Sequence, residues 1–450
     1  MSLKPYPKYK DSGVAWLGDV PEHWNVKRLK YVCNVFPSNV DKKSYDDGIP
    51  VRLCNYTDVY YNETINEQME LMTATATAGQ IAKFTLRAGD VIITKDSETA
   101  DDIAIPAYVP TDLPNVVCGY HLSMVRVKND NVGLFIKRLF DGRYLKSKFE
   151  VLANGLTRVG LGQYALDNVE IPLPSAAEQT TIANFLDHET RKIDALIAEQ
   201  QQLIVLLAEK RQATISHAVT KGLNPKAPMK DSGVVWLGEV PEHWATMKVA
   251  RAFPSIGSGT TPKSDNALYY DDENGTPWLN TGDLNDGDLY SCSKKVSDLA
   301  IKEHSTLKIY PPNSVVIAMY GATIGKLAIL KFSTTVNQAC CVFGVSEVIT
   351  KDFIFYWLFG LRAQIISLAT GGGQPNISQD VIKNLFMAAP CTNEQTAIAN
   401  YLDVEISKLD TLQTEANNVI ALLKERRTAL ISAAVTGKID VRGWTAPQNN

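Results

Sequence analysis

The sequence predicts an α+β protein built twice, with two globular, strand-rich domains that also carry helices, separated by two long antiparallel coiled-coil helices in a pseudo-twofold repeat. Three observations carry that prediction. A Trp-rich segment at Lys10–Trp24 recurs at Lys230–Trp244, and a long amphipathic segment at Glu178–Val219 recurs at Glu394–Val435. The stretches between them hold short β-branched runs broken by Gly, Pro and Asp.

The long segments, EQTTIANFLDHETRKIDALIAEQQQLIVLLAEKRQATISHAV and EQTAIANYLDVEISKLDTLQTEANNVIALLKERRTALISAAV, are offset by 216 positions. In the first copy Ile182, Phe185, Leu186, Ile193, Leu196, Ile197, Leu203, Ile204 and Leu207 fall three and four apart. The second copy repeats the stripe with Ile398, Tyr401, Leu402, Ile406, Leu409, Leu412, Val419, Ile420 and Leu423. That spacing keeps one apolar seam on one side of a helix and calls for a partner helix against it. Ser175 with Glu178, and Thr392 with Gln395, read as capping boxes, and Gly222 and Gly437 as left-handed C-caps. Roughly forty helical residues make a rod on the order of 60 Å.

The Trp-rich segments differ only at Ala15/Val235 and Asp19/Glu239. Their Gly, Pro and Asp content predicts turns rather than a regular element, with Trp16, Trp24, Trp236 and Trp244 as apolar anchors. They read as docking straps packed on the helices, with His23 and His243 making polar contacts inside them.

In chain order the expected parts are a docking segment (1–24), a first insert (25–174), a central helix (175–222), a connector with the second docking segment (223–244), a second insert (245–390), a C-terminal helix (391–437) and a tail (438–450). The inserts align only loosely, as in GDVIITK (89–95) beside NSVVIAM (313–319). Val91–Thr94, Val125–Val127, Val315–Ala318 and Leu327–Leu330 read as strands, and one or two helices come late in each insert. A scaffold retained twice does one job twice, whereas inserts that have drifted apart bind two different things.

A length of 450 residues implies two to four domains. The seven cysteines show no CxxC pairing, so neither a disulfide framework nor a zinc site is expected. MSLKPYPKYKDSG has no apolar signal-peptide core, and Phe353–Ala369 is interrupted by Arg362 and Gln364, so a cytoplasmic setting without membrane contact is expected. A net charge of −4 argues against holding nucleic acid by bulk electrostatics. Any positive charge that meets DNA is therefore local or supplied by a partner.

No catalytic or metal-ligating constellation is evident, and the six histidines form no pair with ligand spacing. Gly321–Lys326 resembles a phosphate loop, but has one residue too few between its glycines and Leu327 where Ser or Thr should hold magnesium. GSGTTP from Gly257 lacks the third glycine of a dinucleotide fingerprint. Both read as turns or binding loops. The groups equipped for reading base edges are Lys95, Ser97, Arg158, Thr260, Thr261, Lys263, Tyr320, Thr323, Gln374 and Asn376, on loops beside glycines or strand ends. Arg pairs with guanine edges and Gln or Asn with adenine.

The two PEHW segments, the two EQxxIAxxLD helices, LCNYTDVY (53–60), PWLNTGDL (277–284), GATIGKLAIL (321–330) and VNQACC (336–341) together resemble the specificity subunit of type I restriction-modification systems. The resemblance covers nearly the whole chain and implies a non-enzymatic DNA-recognition subunit. Each insert would be a target recognition domain for one half of a bipartite, asymmetric double-stranded DNA site. The helices would fix the spacer and dock two methyltransferase subunits, and restriction/translocase subunits would join for cleavage. No cofactor is expected in this chain; S-adenosylmethionine, ATP and magnesium would belong to the partners. The competing readings are a two-headed protein-binding scaffold and an autonomous nuclease or methyltransferase.

Overall fold

The computed structural model describes residues 4–370 and 375–446. The duplicated helices are continuous, Ala176–Lys221 and Thr392–Val435. Gly222 and Gly437 end them at φ +74° and +71°, a conformation open to glycine at little steric cost. The chain divides into two compact units, Met1–Gln201 with Asn417–Asn450, and Gln202–Ala416.

Within the first unit the two helix segments run antiparallel, since Asp194 meets Arg427 while Phe185 meets Trp444, beyond the C-terminal helix. In the second unit Arg211 meets Asp410, and the end of one helix at Gly222 faces the start of the other at Glu394. The buried and half-buried positions along the helices step by four and three: Ile193, Ile197, Gln200, Ile204 and Leu207 on one, Leu409, Gln413, Ala416, Ile420 and Leu423 on the other. This corrects the broader stripe expected from the sequence, because Leu196, Leu203, Tyr401, Leu412 and Val419 are exposed. A seam for one partner covers only two positions in seven, and the neighbouring apolar positions are left in solvent.

The Trp-rich segments form two-stranded antiparallel hairpins, Tyr9–Asp11 with Asp19–Pro21 and Met229–Asp231 with Glu239–Pro241, not bare turns. Asp11 and Ser12 accept from the backbone of Gly13 and Val14, pinning the loop so that the strands can pair. Only Trp24 and Trp244 are buried anchors; Trp16 and Trp236 are 53% and 36% exposed. Trp24 Nε1 donates to Glu178 Oε1 at 3.1 Å, His23 Nε2 lies 2.9 Å from Glu178 Oε2, and the Tyr6 hydroxyl donates to the same carboxylate at 2.7 Å. Trp244 and His243 meet Glu394 in the same way, at 3.1 and 2.8 Å.

These contacts explain why the expected capping boxes are incomplete. Ser175 Oγ does accept from Glu178 N, but the Glu178 carboxylate is taken by the strap. Gln395 likewise accepts from Thr350 N and donates to Val348 O and Pro390 O, while Gln179 accepts from Val132 N and donates to Pro174 O. In the repeated Glu-Gln pair the acid grips the strap and the amide grips the insert. Buried tertiary partners outcompete an exposed helix end for these side chains.

The first insert holds a four-stranded antiparallel sheet in the order Pro106–Tyr108, Val91–Thr94, Leu122–Val127, Cys33–Pro37. A second sheet runs Met72–Ala76, Ile49–Cys54, Leu113–Cys118, Thr85–Leu86, with its central pair parallel. Val91 and Ile93 face a core with Phe135 and Leu139, and Ile92 faces a core with Leu53 and Val116. Burial on both faces makes the strand a continuous apolar run instead of an alternating one.

In the second insert a five-stranded sheet is ordered Ile256–Gly257, Cys340–Phe343, Val315–Ala318, Leu327–Leu330, Gly287–Leu289. A three-stranded sheet is ordered Lys295–Val296, Thr276–Leu279, Thr335–Val336, again with one parallel pair. Val315 and Ile317 face the core of Phe353 and Trp357, while Val316 and Ala318 face that of Leu279 and Leu284. The phosphate-loop look-alike is a hairpin connection: Gly325 N donates to Ala318 O, and Ala318 N to Lys326 O. The strand Leu327–Leu330 follows it where a phosphate loop opens a helix, so the segment does not fit a nucleotide phosphate. No described helix is long and apolar enough to cross a membrane.

Candidate nucleic-acid interface

In each insert the ends of the central strands and the loops that pair with them converge on one surface. In the first, Lys95 follows Val91–Thr94, and its N–H donates to His121 O while its carbonyl accepts from Leu161 N. In the second, Met319 follows Val315–Ala318, donates to Ala339 O and accepts from Ile377 N. Asp96 pairs with Gly160 and Tyr320 bridges Asn376, and Asn154 and Thr370 in turn bridge Gly160 and Asn376. The hydrogen bonds therefore equate Asp96 with Tyr320, Tyr120 with Gln338, and Gly160 with Asn376. One backbone arrangement carries two sets of side chains.

Three of the sequence-derived candidates meet in the first unit. Arg158 Nη2 lies 3.3 Å from Asp96 Oδ1, and Asp96 Oδ2 accepts from His121 Nδ1 at 2.9 Å. Lys95 Nζ stands 4.4 Å from the Tyr120 ring centre and donates to Ser38 O, and burial pushes its pKa down. A half-buried ammonium over an exposed aromatic ring is held in place by cation–π attraction. Ser97 is buried beside Tyr56, so it sits beneath this surface. Beside it, a cavity of about 290 Å³ is lined by Lys42, Asn55, Tyr56, Gly119, Tyr120 and His121, among others.

In the second unit Thr261 donates to Gln338 Oε1 at 2.5 Å, and the Tyr320 hydroxyl donates to Gln338 O at 2.6 Å. Tyr320 bridges Asn376, which is exposed, so Thr261, Tyr320 and Asn376 are gathered around Gln338. Thr260 contributes its carbonyl to Trp278 Nε1, and Thr323 closes the neighbouring turn by accepting from Lys326 N. Lys263 is exposed, and among the described residues only its carbonyl is engaged, by Asn266 N. Gln374 lies outside the described residues. Gly259 lets the loop approach the sheet, since a Cβ there would stand 1.6 Å from Val336 O.

Asp96, His121, Tyr120 and Gln338 were not among the sequence candidates, although they organise the two clusters. The signal for Tyr120 and Gln338 is positional: each follows a parallel strand, in VVCGYH and TTVNQA. The Asn-Asp capping boxes at Asn55/Asp58 and Asn280/Asp283 mark the neighbouring strand ends and tie LCNYTD to WLNTGD.

The chain matches the family model of the type I restriction modification DNA specificity domain twice, over residues 21–205 and 241–422. It is similar to the MjaX type I restriction enzyme specificity subunit of Methanocaldococcus jannaschii, at 23% identity over 443 residues, covering 95% of this chain and 96% of the relative. The EcoBI specificity subunit of Escherichia coli is 24% identical over 303 residues, covering 64% of this chain and 61% of that one. Among solved structures, a chain from a study of assembly and conformational transition of the type I R-M system shares the fold with a TM-score of 0.67 at 18% identity, covering 93% of this chain and 99% of its own. The HsdS subunit from Thermoanaerobacter tengcongensis has a TM-score of 0.57 at 17% identity, covering 93% and 98%. With the family model matched over both halves, the chain belongs to the type I restriction-modification DNA specificity family.

Proposed function

We propose that each insert, about residues 25–174 and 245–390, is a target recognition domain that reads one half of a bipartite, asymmetric double-stranded DNA site. The observation that carries this reading is the loop surface built twice on one backbone plan with unlike chemistry: Lys95, Tyr120, His121 and Arg158 in one unit, Tyr320, Gln338, Thr261 and Asn376 in the other. Equal scaffolds with unequal reading groups suit two unlike words. The long helices serve as the spacer ruler and as the docking site for two methyltransferase subunits, with restriction/translocase subunits completing the complex in the cytoplasm.

Positive charge is local on this surface while the chain as a whole is acidic, so tight binding needs phosphate contacts from the partners. S-adenosylmethionine, ATP and magnesium act in those partners, and this chain performs no chemistry of its own. The test is footprinting of the complex assembled with its methyltransferase subunit. Two protected patches flanking an indifferent gap are expected, and a gap that changes when one heptad is added to both helices in register. Uniform protection of any sequence, or none, would instead favour a protein-binding scaffold.

A further inference from the structure

We propose that Arg158 reads the guanine of a G·C pair in the half-site bound by the first domain, and that Asp96 is the positioning residue that holds Arg158 and His121 in reading geometry. This rests on the DNA-recognition reading above and extends it to one base pair and the groups that meet it.

Arg158 sits in the ring Asn154–Gly160, which is closed by reciprocal backbone bonds between its end residues at 3.2 and 2.9 Å. Gly155, at φ +151°, lets the loop fold so tightly that a Cβ would stand 1.9 Å from Arg158 O. The residues that follow, Val159 and Gly160, are fixed by strand pairing to Ser97 and Asp96. The backbone that presents Arg158 is thus set by sheet and ring together, although its side chain remains 47% exposed. The Asp96 contact takes one of the two Nη2 hydrogens, and among the described residues Nε and Nη1 have no hydrogen-bond partner, so one edge of the guanidinium, the second Nη2 hydrogen beside Nε or Nη1, stays open. Two parallel donors of one guanidinium match the O6 and N7 acceptors of guanine in the major groove.

Asp96 also fixes the neighbouring imidazole. Because the carboxylate faces Nδ1 at 2.9–3.0 Å, it accepts from an Nδ1–H, and in that tautomer Nε2 is the acceptor that His121 presents. The amino group on N4 of cytosine is the donor that such an acceptor meets in the major groove. One carboxylate therefore sets donors for the purine and an acceptor for the pyrimidine, the complement of a G·C pair. The equivalent position in the second domain is Tyr320, so this device belongs to the first half-site alone.

The experiment uses the full complex with methyltransferase subunits, reading modified adenines across the host genome and competing duplexes that differ at one base pair. Arg158→Ala is expected to relax one G·C position in one half-site, lowering discrimination there about 10- to 100-fold and leaving the other half unchanged. Asp96→Asn should relax the same position, and Arg158→Lys should retain part of the preference. Gln338→Ala should alter the opposite half only. The proposal is overturned if Arg158→Ala keeps every position selective, or if the relaxed position is A·T. A wild-type complex with no sequence preference would instead remove the DNA-recognition reading itself. Thermal midpoints within about 2 °C of wild type exclude misfolding as the source, since exposed loop substitutions change stability little.

Discussion

Arg427 donates from Nε to Asp194 at 2.9 Å, and its Nη2 reaches Glu63 at 2.7 Å, so one guanidinium ties the C-terminal helix to the central helix and to the first insert. The repeat offset of 216 carries Asp194 to Asp410, and Arg211 to Arg427, and Arg211 does pair with Asp410. The Arg–Asp pair thus occurs twice, while the third partner is peculiar to the first unit. There Glu63 also meets Lys137 and Arg138, which Asp141 and Asp187 help to balance. In the second unit Tyr356 takes the place of Arg138 and donates to Asp403. The first joint is ionic and the second largely aromatic.

A pH prediction follows from Glu63. Burial alone would push its carboxyl up, but Lys137, Arg138 and Arg427 outweigh that and hold it down at about 2. A carboxylate depressed in the fold contributes stability above its unfolded value and loses that contribution as pH falls. Unfolding of the first unit should therefore become easier between about pH 4.5 and 2. Glu63→Gln should remove that dependence and destabilise the unit at neutral pH by about 1–3 kcal/mol, because Lys137, 1% exposed, keeps only Asp141 as a counter-ion. Denaturation at pH 7 and pH 3 checks both; equal pH sensitivity in the variant would refute the assignment.

The two strap acids differ in a measurable way. Glu178 is buried and accepts from Tyr6, Trp24 and His23, whereas Glu394 is 31% exposed and among the described residues accepts from the side chains of Trp244 and His243 alone. Glu178→Ala leaves the buried Trp24 N–H and Tyr6 hydroxyl without an acceptor and should cost about 2–4 kcal/mol. Glu394→Ala should cost about half of that. Urea titration gives the energies, and limited proteolysis within residues 5–24 against 229–244 locates them.

Repeat structure, the two helices and most core strands were legible in the sequence, because duplication and burial on both sheet faces leave direct marks: GDVIITK and NSVVIAM do occupy equivalent strands. The capping boxes were misread because local spacing cannot reveal that Glu178 and Gln395 have better partners far along the chain. Asp96 and His121 were invisible for the same reason, being 25 residues apart and brought together by sheet order. Arg158 could be picked out because a lone Arg between glycines has little structural work to do. Its carboxylate partner could not.

The loop at Gly259 offers a steric test. Gly259→Ala places a Cβ against Val336 O and should displace residues 257–263, costing about 2 kcal/mol or more and weakening selectivity for the second half-site only. Gly79→Ala is the control: nothing lies within 4 Å of its Cβ, and a helical glycine replaced by alanine should gain about 0.5–1 kcal/mol. Equal effects of the two substitutions would mean that the close approach at Gly259 is not maintained in solution.

Partner docking is predicted to use the apolar positions that the helix seam leaves uncovered. Leu196 and Leu412 are repeat equivalents, as are Leu203 and Val419, and Leu206 and Leu422, and all six are exposed. A scattering of single exposed leucines needs no explanation, but the same three positions recurring on both helices match a partner present in two copies. Leu196→Asp is expected to leave the helix intact, since the side chain is 45% exposed and lies off the seam. It should weaken association with one methyltransferase subunit about 10-fold or more, as read by sedimentation of the reconstituted complex. Leu196→Asp with Leu412→Asp should lose both copies. If the double variant still assembles two methyltransferase subunits with unchanged affinity, the docking face lies elsewhere on the repeat.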